Sequence, residues 1–314
     1  MEKQIISILT PCFNEEDNVR TCASEVARVM SEELPNYDYE HIFCDNASTD
    51  ATVAILRELT ESDPHVKVVV NSRNVGPLLN TFNGLKYVSG DLVVPMIPAD
   101  IQDPPSALPS MVRAMTPDID VVYGVRRNRK DAPHLAIARS VYYALIKVAG
   151  AGKAPPSHAG EFLLARRPVI DAVAAAGSRQ SYVRGLVAQT EPRYAAVEYD
   201  WGVREHGKSR NSLLALVDQA LTGLITTAQS PMRIALPLGF VVAMLGILYA
   251  IVNVVAFTFG NAHASPGIAT IIVGLFLFGG LQLVILGIIG EYVVSIHRAV
   301  NPPPPVFERD RINL

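Results

Sequence analysis

The stretch IISILTPCFNEE, residues 5–16, places a run of aliphatic residues directly before a polar turn. Four later segments repeat the short apolar run: YEHIFCD (39–45), VKVVVN (66–71), DLVVPM (91–96) and DVVYGV (120–125). Patterns typical of helices lie between them, at Glu16–Leu34, Ala51–Ser62, Leu78–Val88 and Ala107–Met115. Alternating strands and helices, with nearly continuous Val and Ile in the strands, predict an α/β domain with a mostly parallel sheet covered on both faces.

Polar residues follow each of the first four predicted strands. They form the segments TPCFNEE (10–16), CDNASTD (44–50), NSRNVG (71–76) and PADIQD (98–103). Because ligands of such sheets bind outside the carboxyl ends of the strands, these segments predict a binding site at one sheet edge. The chain has neither GxGxxG nor GxxxxGK[ST], which excludes a dinucleotide fingerprint and a Walker loop.

The acids in these segments have structural as well as functional interpretations. Ser48 or Thr49 is a candidate helix cap, and Asp50 suits a helix N-terminus electrostatically. Asp100 and Gln102 project to the same side if the chain is still extended there, and their oxygens suit Mg²⁺ or Mn²⁺. Asp103, which precedes two prolines, is predicted to help start the following helix.

Composition separates a soluble part from a membrane-like part. Of the 314 residues, 18% are charged, and none of the residues between Arg233 and Glu291 is Asp, Glu, Lys or Arg. The net charge of −3 gives no support for nucleic-acid binding. The three cysteines show no CxxC spacing, which predicts reduced, cytosolic thiols.

Two apolar runs, at about 234–257 and 268–289, are each long enough to cross a bilayer, which needs roughly 20 residues. Basic residues flank the pair, so both flanks are predicted to be cytoplasmic. The alternative is a pair of buried helices in a soluble protein. Residues 211–230 predict an amphipathic helix that lies either at the membrane surface or on the domain core. The predicted organisation is a cytosolic domain (1–210), this interfacial helix, two transmembrane helices (231–291) and a cytosolic tail (292–314) that runs extended after Asn301.

The ordered set PCFNEEDNV, CDNASTD, RNVG, SGDLVV and ADIQDPP resembles the family 2 inverting glycosyltransferases, which have the GT-A (nucleotide-diphospho-sugar transferase) fold. The later segments AGEFLLARR (159–167), YVRGLVA (182–188), REHGKSR (204–210) and GEY (290–292), with the two predicted spans, are similar to the polyprenyl-phosphate glycosyltransferases. That group includes dolichyl-phosphate mannose synthases, GtrB-type glucosyltransferases and undecaprenyl-phosphate aminoarabinose transferases. The resemblance covers nearly the whole chain.

The resemblance implies a reaction and its partners. The phosphate of a membrane polyprenol, such as undecaprenyl phosphate, attacks the anomeric carbon of a UDP- or GDP-linked sugar with inversion. A divalent metal, Mg²⁺ or Mn²⁺, is the implied cofactor. The implied location is the bacterial inner membrane, with a multi-pass anchor and a cytoplasmic catalytic domain. Members of the family often form homo-oligomers, and the resemblance extends that expectation here.

The resemblance implies a role for each residue that occupies a motif position of the family. The implied nucleotide-sugar-binding residues are Pro11, Phe13, Glu15, Asp45, Arg73, Gly76 and Asp100. The implied catalytic residues are Asp100, Glu161 and Arg204, and the implied metal ligands are Asp100 and Gln102. The implied acceptor-phosphate-binding residues are Arg184, Lys208, Ser209 and Arg210. Asp91 is expected to be structural, and Arg126, Arg127, Arg129 and Lys130 are expected to form a solvated or lipid-headgroup face.

Several positions depart from the commonest family pattern. Pro98 replaces an acid, Glu161 is one methylene longer than the usual Asp, Arg210 replaces a Lys, and the usual Asp-Asp-Gly is Asp45–Asn46–Ala47. Pro98 and Ala47 are the support for one alternative, a membrane-anchored nucleotide-sugar-binding protein without turnover. A second alternative, a processive polysaccharide synthase, lacks its usual QxxRW motif, because the sole tryptophan is Trp201.

Overall fold

The computed structural model describes residues 3–127, 159–176, 182–202, 244, 248, 267–301 and 305–314. The predicted alternation of strands and helices is confirmed in its first part. The elements there are β1 (Ile5–Cys12), α1 (Val19–Glu32), β2 (Asp38–Asp45), α2 (Thr52–Ser62), β3 (Val66–Asn71), α3 (Pro77–Gly84), β4 (Leu92–Val94), α4 (Leu108–Ala114) and β5 (Val121–Arg127). The later elements are β6 (Ala159–Arg166), α5 (Arg167–Ala175), α6 (Val183–Gln189), β7 (Tyr194–Asp200), α7 (Gly267–Val300) and β8 (Glu308–Ile312).

The strands form one sheet in the order β7-β5-β6-β4-β1-β2-β3-β8. The central strands β4, β1, β2 and β3 are parallel, and β6 is antiparallel to both of its neighbours. Since β5 is antiparallel to β6 and parallel to β7, both β5 and β7 end at the same edge as the central strands. Strand β6 begins at that edge, which brings the start of AGEFLLARR to the polar turns.

Both faces of the sheet are covered, as the strand composition predicts. Ile8 and Phe43 pack on the face that carries α1, while Leu9 and Cys44 pack on the opposite face. Helix α3 approaches the sheet closely at Gly84, where a Cβ atom would lie 2.4 Å from Cys44 Sγ. Burial of these side chains, at roughly 1.5–3 kcal/mol each, is the main force that fixes the strand ends in space.

The C-terminal segment is more than the extended tail that the sequence predicts. Strand β8 pairs antiparallel with β3 and so closes one edge of the sheet. Arg57 forms an ion pair with Asp310, and Asn313 Nδ2 donates to the carbonyl oxygen of Thr60 at 3.1 Å. The segment after α7 is therefore attached to the α/β domain.

Glu308 is the most heavily bonded residue of this attachment. Asn83 Nδ2 lies 2.7 Å and Arg311 Nε 2.6 Å from its carboxylate, and the Tyr87 hydroxyl also donates to it. Desolvation favours the protonated acid, but these donors outweigh it and hold the pKa of Glu308 below its usual value. Its stabilising contribution is therefore present near neutral pH and is lost as the pH falls through that lowered pKa.

The Glu308→Ala variant is expected to lose about 2–3 kcal/mol of unfolding free energy, because it leaves several donors without their charged acceptor. Denaturant unfolding of the full chain in detergent measures this loss. Arg309→Ala is the matched control, since Arg309 is exposed on the same strand. Equal stability of the two variants would contradict a structural role for the β8 attachment.

The second predicted span falls within α7, whose described range is Gly267–Val300. Among the residues that the structure describes, no helix is identified as long and apolar enough to cross a membrane. The first predicted span, apart from residues 244 and 248, and the predicted interfacial helix 211–230 lie outside the described residues.

Candidate active site

The polar turns after the central strands meet at one edge of the sheet. The amide of Ile97 donates to Leu9 O at 2.8 Å, and the amide of Asn46 donates to Cys12 O at 2.9 Å. These bonds extend the β4–β1–β2 pairing beyond the strands. Burial raises the pKa of the Cys22 thiol, and the nearby negative charges of Asp100 and Glu15 add to the rise.

The turns after β1 and β2 are bonded to each other. Asn14 has a φ of +55°, and its side-chain oxygen accepts from the amide of Thr49 at 2.8 Å. The amide of Asn14 in turn donates to Ser48 Oγ at 2.9 Å. Glu15 adds a bond from its amide to Thr52 Oγ1 at 2.9 Å. This bonding fixes the turn that carries Phe13 and Glu15, both of which are half-buried.

Asp45 lies at this edge, but its side chain is buried and bonded within its own turn. Its carboxylate accepts from the amide of Ser48 at 3.0 Å and from the Ser48 hydroxyl. Burial raises the pKa of Asp45, although the Ser48 bonds oppose the rise. The predicted contact of Asp45 with a nucleotide base therefore stays a prediction.

Ala47, the departure from the family's glycine, keeps the backbone shape that glycine favours. Its φ is +61°, in the left-handed region, which costs a residue with a Cβ roughly 1–2 kcal/mol. The neighbouring Asn46 accepts from the amide of Val75 at 2.8 Å and donates to Asn74 Oδ1 at 2.9 Å. These bonds tie the turn after β2 to the turn after β3.

The turn after β3 carries Arg73 and Gly76, two of the predicted nucleotide-sugar-binding residues. Arg73 is exposed, and Gly76 precedes α3 with a φ of +85°. A Cβ atom at Gly76 would meet no atom within 4 Å, so the space beside this backbone is open. An open backbone at a helix start suits the close approach of a phosphate.

The turn at residues 98–101 corrects the expectation of an extended chain. The amide of Ile101 donates to Pro98 O at 2.9 Å, and Ile101 has a φ of +46°. Positive φ is strained for a β-branched residue, and such strain clusters at functional sites. Asp100 and Gln102 therefore do not alternate along a strand. Asp100 lies within the turn and Gln102 directly follows it, and the amide of Gln102 donates to Asp100 Oδ1 at 3.3 Å.

The oxygen ligands that this turn offers fit a divalent ion that takes only part of its coordination shell from the protein. Asp100 and Gln102 are both half-buried, and together they offer one carboxylate and one amide oxygen. In the described part of the chain there is no cluster of three His, Cys, Asp or Glu side chains suited to a metal. Mg²⁺ in phosphate sites is bound by one or two protein oxygens and takes the rest of its shell from phosphates and water.

Asp103 does not start a helix, contrary to the sequence prediction. Its carboxylate is buried and accepts from Arg126 Nε at 3.1 Å and Arg126 Nη2 at 2.9 Å. The Tyr199 hydroxyl donates to it at 2.5 Å. Pro104, not Asp103, occupies the cap position of the short helical turn that follows.

Arg126 corrects a second prediction, because it is not part of a solvated face. Its guanidinium lies 4.9 Å from the centre of the Trp201 ring, and a Cβ at Gly160 would lie 3.3 Å from its Nε. Desolvation lowers the pKa of Arg126, but Asp103 and Tyr199 together outweigh it and raise the pKa above its ordinary value. Arg127 does remain exposed and pairs with Glu198, while Arg129 and Lys130 lie outside the described residues. The alternation of side chains along a strand could have shown that Arg126 is buried while Arg127 is exposed, since Arg126 shares a face with the core residue Val122.

Glu161 lies at the start of β6, next to this pair. Its carboxylate is 28% exposed and lies 3.9 Å from Arg184 Nε. Desolvation raises the pKa of Glu161, and the positive charges of Arg184 and Arg126 oppose the rise. Arg184 also bonds to Ala159 O, and its Nε lies 2.8 Å from the Tyr182 hydroxyl. The structure thus brings the predicted catalytic acid and one predicted phosphate-binding arginine together.

The remaining predicted residues divide into two groups. Pro11 is half-buried near the end of β1, and Asp91, expected to be structural, accepts from the amide of Ile5 at 3.0 Å. The others lie outside the described residues: Arg204, Lys208, Ser209 and Arg210.

Comparison with protein families identifies the chain. The model described as Glycosyl transferase family 2 matches residues 7–172, which include most of β1, all of β2, β3 and β4, and Glu161. The chain belongs to glycosyl transferase family 2. A second model, the GtrB C-terminal hairpin, matches residues 230–296 of this glycosyltransferase.

Relatives of this glycosyltransferase match it from end to end. The undecaprenyl-phosphate 4-deoxy-4-formamido-L-arabinose transferase of Proteus mirabilis is 30% identical over 96% of this chain and 92% of its own length. The SfII prophage-derived bactoprenol glucosyl transferase of Shigella flexneri is 28% identical over 95% of this chain and 96% of its own length. The family resemblance that the motifs carry is confirmed.

Solved structures show the same fold. Glucosyl-3-phosphoglycerate synthase from Mycobacterium tuberculosis, in complex with Mn²⁺ and UDP-glucose, superposes with a TM-score of 0.52 at 22% identity. The match covers 73% of this chain and 80% of that one. The α/β domain of this glycosyltransferase therefore has the GT-A type of fold.

Proposed function

We propose that this glycosyltransferase moves a sugar from a nucleotide-sugar donor to the phosphate of a membrane polyprenyl phosphate. The observation that carries the proposal is the 3.9 Å approach of Arg184 to Glu161 at the sheet edge where the turn of Asp100 also lies. The relatives that match along the whole chain include an undecaprenyl-phosphate sugar transferase and a bactoprenol glucosyl transferase. Their names support the acceptor class, and the fold supports the donor class.

The bond changes need charge stabilisation more than proton removal. An oxygen of the acceptor phosphate forms a bond to the anomeric carbon while the bond from that carbon to the diphosphate oxygen breaks. The electron pair leaves with the nucleoside diphosphate, and the configuration at the anomeric carbon inverts. Because a phosphate acceptor is already anionic near neutral pH, the site's main task is to hold two anions together, which suits arginine.

Asp100 and Gln102 are the proposed ligands of a divalent ion. When bound, such an ion supplies Lewis-acid stabilisation of the leaving diphosphate. The Mn²⁺ in the structural relative supports a divalent metal in general. Arg184 is half-buried beside Glu161, so it offers a positive charge whose orientation is set by Tyr182 and Ala159. The other proposed acceptor-phosphate-binding residues are Lys208, Ser209 and Arg210, and Arg204 is a further proposed catalytic residue.

The proposed location is the inner face of the bacterial membrane. The match to the GtrB C-terminal hairpin at residues 230–296 supports membrane attachment through that region. The finer proposal is a multi-pass anchor formed by the apolar runs 234–257 and 268–289, with the catalytic domain on the cytoplasmic side.

Membranes that contain the protein are expected to transfer label from one of a panel of radiolabelled nucleotide sugars into undecaprenyl phosphate. Extraction of the lipid fraction measures the product and identifies the donor. Membranes without the protein are the control. Nucleotide-sugar binding with no lipid-linked label for any sugar would instead support the alternative of a binding protein without turnover. A labelled polymer in place of a monosaccharide would support a processive synthase.

A further inference from the structure

The turn that carries Asp100 and Gln102 is held by residues of β5 and β7 and by a residue that follows β7. The amide of Gly202 donates to the carbonyl oxygen of Gln102 at 2.9 Å. The next residue, Asp103, is buried and bonded to both Arg126 and Tyr199. The turn is therefore attached at two successive residues to strands β5 and β7 and to the residues that follow β7.

The pair between Asp103 and Arg126 is rigid by its geometry. Two nitrogens of one guanidinium meet the two oxygens of one carboxylate, at 3.1 and 2.9 Å. Asp103 retains 4% and Arg126 20% of side-chain exposure, so water screens the pair little. A bidentate pair of this kind fixes orientation as well as distance.

The same arginine connects the turn to the acid at the start of β6. Arg126 lies against Gly160, and its charge acts on Glu161 together with that of Arg184. Its guanidinium also covers the ring of Trp201 at 4.9 Å. Only Val203 separates Trp201 and Gly202 from the segment REHGKSR (204–210), which contains the proposed acceptor-side residues.

We propose that Asp103 is a positioning residue for the metal-binding turn, and that its pair with Arg126 sets the orientation of Asp100 and Gln102 toward the ion. The inference rests on the proposed metal site. It adds residues that touch neither the ion nor the substrate. Groups that orient metal ligands in this way typically change metal affinity by about 10- to 100-fold when they are removed.

The test is Mn²⁺ uptake by the full chain in detergent with UDP present, measured from the electron paramagnetic resonance signal of free Mn²⁺. The variants are Asp103→Asn and the double variant Asp103→Asn/Arg126→Gln. The double variant removes both charges, so no buried charge is left unpaired and the protein is expected to stay folded. Both are expected to raise the Mn²⁺ concentration for half-saturation by about 10-fold or more.

Arg127→Gln is the matched control, because Arg127 is the adjacent arginine but is exposed and pairs with an exposed glutamate. It is expected to leave Mn²⁺ uptake at the wild-type level. Wild-type uptake in the folded double variant, verified by circular dichroism, would overturn the positioning role. Absence of nucleotide-dependent uptake in the wild type, with GDP also tried in place of UDP, would overturn the metal site itself, and this outcome separates failure of the proposed function from failure of the inference alone.

Trp201 gives a second readout that does not depend on activity. It is the sole tryptophan of the chain, and Arg126 lies over its ring. Arg126→Gln is expected to change the wavelength and intensity of tryptophan emission in the absence of ligand, and Arg127→Gln is not. Identical spectra for wild type and Arg126→Gln would contradict the contact on which the network depends.

Discussion

Replacement of Asp100 with alanine is expected to reduce metal-stimulated sugar transfer by roughly 10³-fold, since a Lewis acid contributes several kcal/mol and each factor of ten in rate corresponds to about 1.4 kcal/mol. Two carboxylates lie in or next to the strained turn, Asp100 and Asp103. Asp103 is buried in its pair with Arg126, whereas Asp100 is half-buried and remains accessible to an ion. The measurement is the initial rate of lipid-linked product formation across a range of Mg²⁺ and Mn²⁺ concentrations.

Asp118→Asn is the matched control for Asp100. The Asp118 side chain is 90% exposed in the loop before β5, and its described contact is with Arg193 at 3.7 Å. It is expected to retain wild-type transfer and metal response. A folded Asp100→Ala enzyme with the wild-type rate and the same metal response would contradict the assignment of Asp100 as a ligand.

Glu161→Gln is expected to reduce transfer by roughly 10²-fold, the lower end of the usual effect of disturbing one preorganised group that stabilises transition-state charge. The glutamine keeps the size of the side chain but removes the charge that faces Arg184 at 3.9 Å. Without that charge, the arginine loses a partner that orients it toward the anions. Glu198→Gln, on an exposed glutamate of β7, is the control for the same chemical change.

The Glu161→Gln variant is also expected to change the way in which the unfolding free energy depends on pH. The pKa of Glu161 is raised in the folded protein because burial disfavours the carboxylate. Between the unfolded-state pKa and this raised value, the folded protein binds more protons, so the wild type loses stability as pH rises through that interval. Glu161→Gln lacks this loss, and its unfolding free energy relative to the wild type is expected to increase from acidic to neutral pH.

Denaturant unfolding at a series of pH values measures this difference. A constant offset between the two proteins across the series would contradict the raised pKa. A variant that is less active yet relatively more stable near neutral pH would indicate that Glu161 is retained for function at a cost in stability.

The central sheet could be predicted from sequence because its signals are local. Continuous Val and Ile runs followed by polar turns predict β1 and β3 with the bounds that the structure has. The carboxyl ends of parallel strands meet at one edge, so the position of Asp100, Glu15 and Asp45 followed from topology alone. The match to the family 2 model extends over residues 7–172.

Local backbone geometry and distant pairing could not be predicted in the same way. The positive φ of Ile101 accompanies a bond from its own amide to Pro98 O and a bond from the Gly202 amide to Gln102 O, and no spacing rule contains either bond. The pair of Asp103 with Arg126 joins residues 23 positions apart on different elements. Strand β8 was predicted only as an extended tail, because its partner β3 is more than 200 residues away in the chain.

The most direct test of the central claim is the stoichiometry of the reaction with purified full chain, the donor identified in membranes and undecaprenyl phosphate. The account predicts one lipid-linked monosaccharide for each nucleoside diphosphate released, with inverted anomeric configuration, and loss of both products in Asp100→Ala. Release of nucleoside diphosphate without a lipid-linked sugar, or a product of retained configuration, would contradict it.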